Sequence, residues 1–169
     1  MNIVLIGYRG TGKSEVAKIL SEKLKMKSIG MDAEIVNKAG LTIPQIVEKY
    51  GWDKFRSIET EVALDVSKLD NVIVDTGGGV IERTENIEAL KKTGIIFWLK
   101  ASVDVIVARI ESGTDRPALT QGKTFTEEVA EVLDRRTAKY KSSAKHEIDT
   151  DQITPNQVSD RIVEILNKK

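Results

Sequence analysis

No cysteine occurs among the 169 residues. That removes thiolate metal sites and cysteine nucleophiles from the available chemistries and leaves no disulfide to staple the fold. A chain of this length needs no staple, because a single domain of this size buries most of its apolar surface. A net field is also missing: 26 Lys and Arg balance 26 Asp and Glu. Nothing in the bulk charge draws the chain to nucleic acid or to an anionic membrane, so any anion must be held by a local cluster. Long apolar runs are absent as well. Ile3 to Ile6 is a run of only four before Gly7, with neither a basic leader nor a small-residue cleavage site. The N-terminus therefore reads as neither signal peptide nor membrane span, and the protein as cytoplasmic. There is no Pro- or Gly-rich linker, low-complexity tract or solenoid-length repeat, which predicts one domain over residues 1–169.

What is present alternates. Ile3 to Ile6 reads as a strand buried on both faces, and Val16, Ala17, Ile19, Leu20 and Leu24 recur at helical spacing over Lys13 to Leu24. Ser28 to Met31 predicts a second strand and Ala33 to Lys38 a short helix. Ile43 to Tyr50 and Phe55 to Leu69 predict two helices separated by Gly51. Val72 to Val74 leads as a strand into Gly77-Gly78-Gly79, followed by a helix over Glu85 to Lys92. Ile95 to Leu99 is the fourth strand, and Val103 to Glu111 a helix. The stretch from Ser112 to Thr126, polar and weakly periodic, reads as a mobile loop. A helix from Glu127 to about Lys141, a strand near Glu147 to Asp149 and a helix from Pro155 to Asn167 complete the chain. The alternation predicts an α/β fold in three layers, a five-stranded parallel sheet flanked by helices.

One segment carries chemistry on its face. Gly7-Tyr8-Arg9-Gly10-Thr11-Gly12-Lys13-Ser14 satisfies G-x-x-x-x-G-K-[ST] and lies between a predicted strand and a predicted helix. Backbone N–H groups of such a loop and of the helix N-terminus point at nucleotide phosphates. The nucleotide-binding positions are Gly10, Thr11, Gly12, Lys13 and Ser14, with Lys13 reaching the β and γ phosphates and Ser14 ligating Mg²⁺. A GTPase switch would need a late guanine-reading NKxD. Asn37-Lys38-Ala39-Gly40 lacks the Asp and comes before the third strand, so a kinase is the better reading.

Further clusters follow in order: Asp32, Phe55-Arg56 with Glu59, Gly77-Gly78-Gly79, Arg116-Pro117, and Arg136 four residues before Tyr140. Together with the phosphate loop this constellation resembles shikimate kinase, a family of P-loop kinases with a mobile lid, over essentially the whole chain. The resemblance implies transfer of the ATP γ-phosphoryl to shikimate in the route to chorismate and the aromatic amino acids. ATP and Mg²⁺ would be required, and the enzyme would be a monomer without nucleic-acid or membrane partners. It implies that Arg56 and Arg136 hold the substrate carboxylate, that Asp32 contacts the ring hydroxyls, and that Gly77, Gly78 and Gly79 line the acceptor, with Gly78 offering its N–H. A planar arginine fork suits a carboxylate. Glu59 matches the acid that steadies Arg56, Arg116 the lid arginine, Arg109 the residue stacked on adenine, and Pro155 part of the opposite wall. The substrate-binding region would span about 32–60 and the lid about 112–126, with Lys13, Asp32 and Arg116 as the catalytic groups.

Three of these residues keep a second reading: Asp32 at the end of a strand could be a helix N-cap, Glu59 an exposed helix charge, and Pro155 only a helix starter. His146, Trp52 and the stripe Ile162, Ile165 and Leu166 read as packing. The chain also departs from the family. The usual DxD after the second strand aligns its second acid with Asp32, which leaves Gly30 where the first, magnesium-associated acid belongs. The third strand instead ends in Asp75, a Walker B carboxylate, expected to contact Mg²⁺ through water or Ser14, or else to act only as a strand-end cap. The lid reads RPAL, and RTAKY precedes and includes Tyr140, where relatives carry RPLL and R-x-P-L-Y. Two alternatives stay open: a same-fold kinase of another small acceptor, and a non-catalytic nucleotide-binding homologue.

Overall fold

A computed structural model describes residues 1–111 and 124–168. Arg116 and most of the expected lid lie outside the described residues. Five strands, β1 (Asn2–Ile6), β2 (Lys27–Gly30), β3 (Val72–Asp75), β4 (Gly94–Lys100) and β5 (His146–Asp149), form one parallel sheet in the order β2-β3-β1-β4-β5. Every residue of β1 is buried, as a central strand covered on both faces requires.

The helices are α1 (Lys13–Leu24), α2 (Met31–Ala39), α3 (Ile43–Val66), α4 (Thr84–Thr93), α5 (Val103–Glu111), α6 (Phe125–Ser143) and α7 (Pro155–Asn167). On one face, Val16, Ala17 and Leu20 of α1 and Val158 and Ile162 of α7 pack against Ile3, Leu5 and Phe97. Val4, Val74 and Trp98 face the other way, against Ile35, Ile58, Val62 and Leu90 of α2, α3 and α4. The expected packing of Ile162, Ile165 and Leu166 holds, and His146 stacks on Phe97 with ring centroids 5.1 Å apart. Three helices begin at capping boxes, Thr42 with Gln45, Thr124 with Glu127 and Thr154 with Gln157. Each pairs a side-chain oxygen with an orphan backbone N–H at the helix start. Gly51 (φ 81°, ψ 169°) breaks α3, which is the separation expected there, since an L side chain resists that backbone region.

Some boundaries move. Asp32, expected at the end of the second strand, lies in the first turn of α2, because β2 ends at Gly30 and helix begins at Met31. Gly30 is the N-cap and no side chain caps there, so the N-cap reading of Asp32 fails too. Phe125 and Thr126, assigned to the lid, already belong to α6 behind its Thr124 cap. The glycine triplet runs into a short 3-10 turn, Val80–Glu82, that the sequence pattern did not predict.

The topology selects where a site can form. From β1 the chain leaves toward β2 on one side, and from β3 it crosses β1 to reach β4 on the other. Loops that depart in opposite directions open a crevice at the carboxyl ends of their strands. Here that crevice lies between the loops after β1 and β3, which carry the phosphate loop and the glycine triplet.

Candidate active site

The phosphate loop is held by its own atoms. Thr11 Oγ1 donates to the Tyr8 carbonyl at 2.8 Å, and Lys13 Nζ donates to the carbonyls of Gly7 and Tyr8 at 2.9 and 3.0 Å. Gly12 (φ 85°) turns the chain into α1. On the α7 side of the loop is a cavity of about 380 Å³ lined by Gly10, Thr11, Gly12, Arg109, Thr150 and Pro155, among others. Arg109 spans it, donating to the Gly10 carbonyl at 3.2 Å and to Thr150 Oγ1 and O at 3.1 and 2.7 Å. Pro155 opens α7 and lines this cavity.

On the other side of the loop is a larger cavity of about 470 Å³, which gathers Asp32, Arg56, Glu59, the three glycines and Arg136. Arg56 Nη1 donates to Glu59 Oε2 at 2.7 Å within α3, one helical turn apart as i,i+3 spacing dictates. Glu59 is 1% exposed, its Oε1 has no hydrogen-bond partner among the described residues, and burial pushes its carboxyl up against the opposing pull of Arg56. An added Cβ on Gly77 would lie 3.0 Å from Asp32 Oδ1 and 3.2 Å from Glu59 Oε1, and one on Gly79 only 2.2 Å from both terminal nitrogens of Arg56. The close approaches fall at Gly77 and Gly79. Gly78, the glycine singled out from the sequence, meets the backbone of Arg9 at an ordinary 3.4 Å.

Arg136 is 5% exposed in α6; its Nε donates to Glu82 Oε1 at 2.6 Å, and its Nη1 lies 3.5 Å from the Gly78 carbonyl, which also accepts from the Tyr140 hydroxyl. At the crevice floor, Ser14 Oγ donates to Asp75 Oδ2 at 2.5 Å.

Several groups at this site were not found by sequence reasoning. Trp52, read as packing, is 40% exposed at the cavity mouth, its ring 5.7 Å from the Arg56 guanidinium. Exposure of an aromatic depends on tertiary position and left no local signal. Arg9 lines the same cavity and pairs with Glu128 at 3.0 Å, under the Phe125 ring. Glu82 follows the glycine triplet, and among the described residues its carboxylate is partnered by Arg135, Arg136 and Lys139 of α6.

A phosphate loop at a parallel-sheet crevice, flanked by two cavities of which one is lined by Arg9, Arg56 and Arg136, defines a P-loop phosphotransferase. The family model described as shikimate kinase matches residues 9–167. A shikimate kinase of Caldicellulosiruptor bescii is 38% identical over 97% of this chain and 94% of its own length. One described as shikimate kinase 2, from an Enterobacter species, is 41% identical over 97% and 94%. The solved structure of Acinetobacter baumannii shikimate kinase in complex with shikimate superposes with a TM-score of 0.92 at 32% identity, covering 99% of this chain and 93% of that one. The chain belongs to the shikimate kinase family.

Proposed function

We propose that this kinase transfers the γ-phosphoryl group of ATP to a ring hydroxyl of shikimate, giving shikimate 3-phosphate for the chorismate route. The observation that carries the reading is the convergence of Arg56 and Arg136 on one cavity with Asp32, beside the phosphate loop. A small ring with one carboxylate and several hydroxyls asks for cations at one end and an acceptor of hydrogen bonds near the loop. Arg56 and Arg136 hold the carboxylate, each as a planar fork. Asp32 orients the attacking hydroxyl and takes its proton, close enough to Gly77 that a side chain there would displace it. Gly78 and Gly79 let the ring approach the backbone. Lys13 leaves its loop carbonyls for the phosphates, and Arg116 joins it to neutralise charge during transfer.

ATP occupies the smaller cavity, with Gly10, Thr11, Gly12, Lys13 and Ser14 on its phosphates and Arg109 and Pro155 about the base. The oxygens of Ser14 and Asp75 fit Mg²⁺. A serine hydroxyl that gives its only proton to Asp75 keeps its lone pairs for a cation. Among the described residues no group of three or more His, Cys, Asp or Glu gathers, which suits an ion that takes one or two protein oxygens and completes its shell with water and substrate phosphates. Ser14 and Asp75 would hold the ion there, and it would supply positive charge against the phosphates. Residues 1–169 would act as one kinase domain, and a monomer is the reading we adopt from the family resemblance. No helix among the described residues is long and apolar enough to cross a membrane, and a cytoplasmic enzyme is the reading we adopt.

The test is a coupled ADP-release assay with shikimate, quinate and AMP. Turnover with shikimate well above the other two is expected. Preference for AMP would sink the acceptor assignment, and ATP binding with no phosphorylated product would mark a non-catalytic homologue.

A further inference from the structure

Arg56 and Arg136, the two arginines of the acceptor cavity assigned to the substrate carboxylate, each rest on a carboxylate, but not in the same way. Glu59 holds Arg56 by a terminal nitrogen, Nη1. Glu82, at the end of the 3-10 turn after the glycine triplet, holds Arg136 by the inner nitrogen, Nε, at 2.6 Å. Its second oxygen accepts from Lys139 Nζ at 2.8 Å, and Arg135 Nη2 lies 3.5 Å from the first. The Arg136 side chain is 6% exposed and that of Glu82 19%, so this is a largely desolvated pair with exposed cations at its rim.

We propose that Glu82 is a positioning residue for the acceptor: by gripping Arg136 at Nε it fixes the guanidinium plane and leaves the terminal nitrogens turned to the substrate carboxylate. The inference rests on the reading of Arg136 as a carboxylate holder. A guanidinium has five N–H donors in a rigid fork. The Nε hydrogen goes to Glu82 and one Nη1 hydrogen points toward the Gly78 carbonyl, while neither contact uses the Nη2 pair. One strong bond at Nε, with the 3-10 turn and α6 fixing its two ends, sets the orientation before substrate arrives. Binding then forfeits less side-chain freedom.

Charge favours the arrangement as well. Three cations, Arg135, Arg136 and Lys139, surround the one carboxylate of Glu82, so the cluster stays attractive to an anion with Glu82 ionised. Burial works against that ionisation, but Lys139 and Arg136 outweigh it and bring the Glu82 pKa to about 2.

The experiment is steady-state kinetics of the full chain with Glu82→Gln, Arg136→Ala and the double variant. Glu82→Gln should raise the KM for shikimate roughly tenfold, the scale of one charge-assisted hydrogen bond, with much smaller changes in kcat and in the KM for ATP. Glu82→Asp, which keeps the charge, should recover part of the loss, and it serves equally if Glu82→Gln folds poorly. In the Arg136→Ala background the glutamine should add nothing further. An unchanged or lowered shikimate KM in Glu82→Gln, or an effect that persists without Arg136, overturns the proposal. If Arg136→Ala alone leaves the shikimate KM unmoved, the carboxylate-holder reading itself fails, and that outcome is distinct from the other two.

Discussion

Gly30 and Asp75 are register partners on the last rung of the β2–β3 ladder. Gly30, which the resemblance aligns with the family's first acid, is therefore beside the carboxylate of Asp75. Asp75 reaches Ser14 directly, so a carboxylate moved one strand over still addresses the same hydroxyl. Asp75→Asn should lower turnover and weaken the Mg²⁺ dependence of nucleotide binding by roughly 10–100-fold, the usual effect of an outer partner of a metal site. Gly30→Asp should restore part of it. An added Cβ at Gly30 meets nothing within 4 Å, and its backbone (φ −90°, ψ 115°) accepts any residue. Calorimetry of ATP binding with and without Mg²⁺ reads the metal term apart from catalysis. A full Mg²⁺ effect in Asp75→Asn would remove the compensation idea.

Gly79 sets the seat of the Arg56 guanidinium. Alanine there puts a methyl group 2.2 Å from both terminal nitrogens, and the arginine must swing away from Glu59. Loss of its hold on a carboxylate should raise the shikimate KM by about tenfold or more, at roughly 1.5–3 kcal/mol for hydrogen bonds to charged groups. The KM for ATP, set on the far side of the phosphate loop, should hardly move. Equal shifts in both constants would mean the whole crevice had been disturbed instead.

The parts of this site that were legible in the sequence are those fixed by local spacing. The phosphate loop lies between a strand and a helix because its eight residues are contiguous, and the Arg56–Glu59 pair, expected only through the family resemblance, forms within one turn of α3. Parallel strands were legible from short apolar runs between helical periods. The unseen parts depend on docking between distant segments. Glu82 and Arg136 are 54 residues apart, and Arg9 and Glu128 are 119 apart, so neither pair leaves a pattern along the chain. Asp32 was misplaced by a boundary: β2 passes directly into α2 at Gly30, with no loop to mark the change.

Arg56→Met should destabilise the protein in a pH-dependent way. It strips the partner from a buried carboxylate, a change that typically costs on the order of 3 kcal/mol. Burial already holds the Glu59 pKa above its ordinary value, and Arg56 is the main force lowering it. Without Arg56 the folded pKa rises further. The sign follows: a carboxyl whose folded pKa exceeds its unfolded value costs stability when ionised, and the cost shrinks as pH falls through the folded pKa. Thermal melts should show a larger deficit against the unmodified chain at pH 8 than at pH 5. A deficit independent of pH would indicate lost packing alone.

Glu82 should behave in the opposite sense. Its pKa is lowered from 4.5 to about 2 in the folded state, so its contribution to stability is complete above the unfolded value and disappears as the pH falls from about 4.5 toward about 2. Glu82→Gln has no proton to take up in that window. The stability of the variant should therefore fall less steeply than that of the parent, and the two curves should converge toward the acid end. Urea unfolding at pH 7, 4 and 3 measures the gap. Parallel curves would mean that the Arg136 and Lys139 contacts do not stabilise the ionised form of Glu82, and the basis for a charged anchor beside the acceptor cavity would go with them.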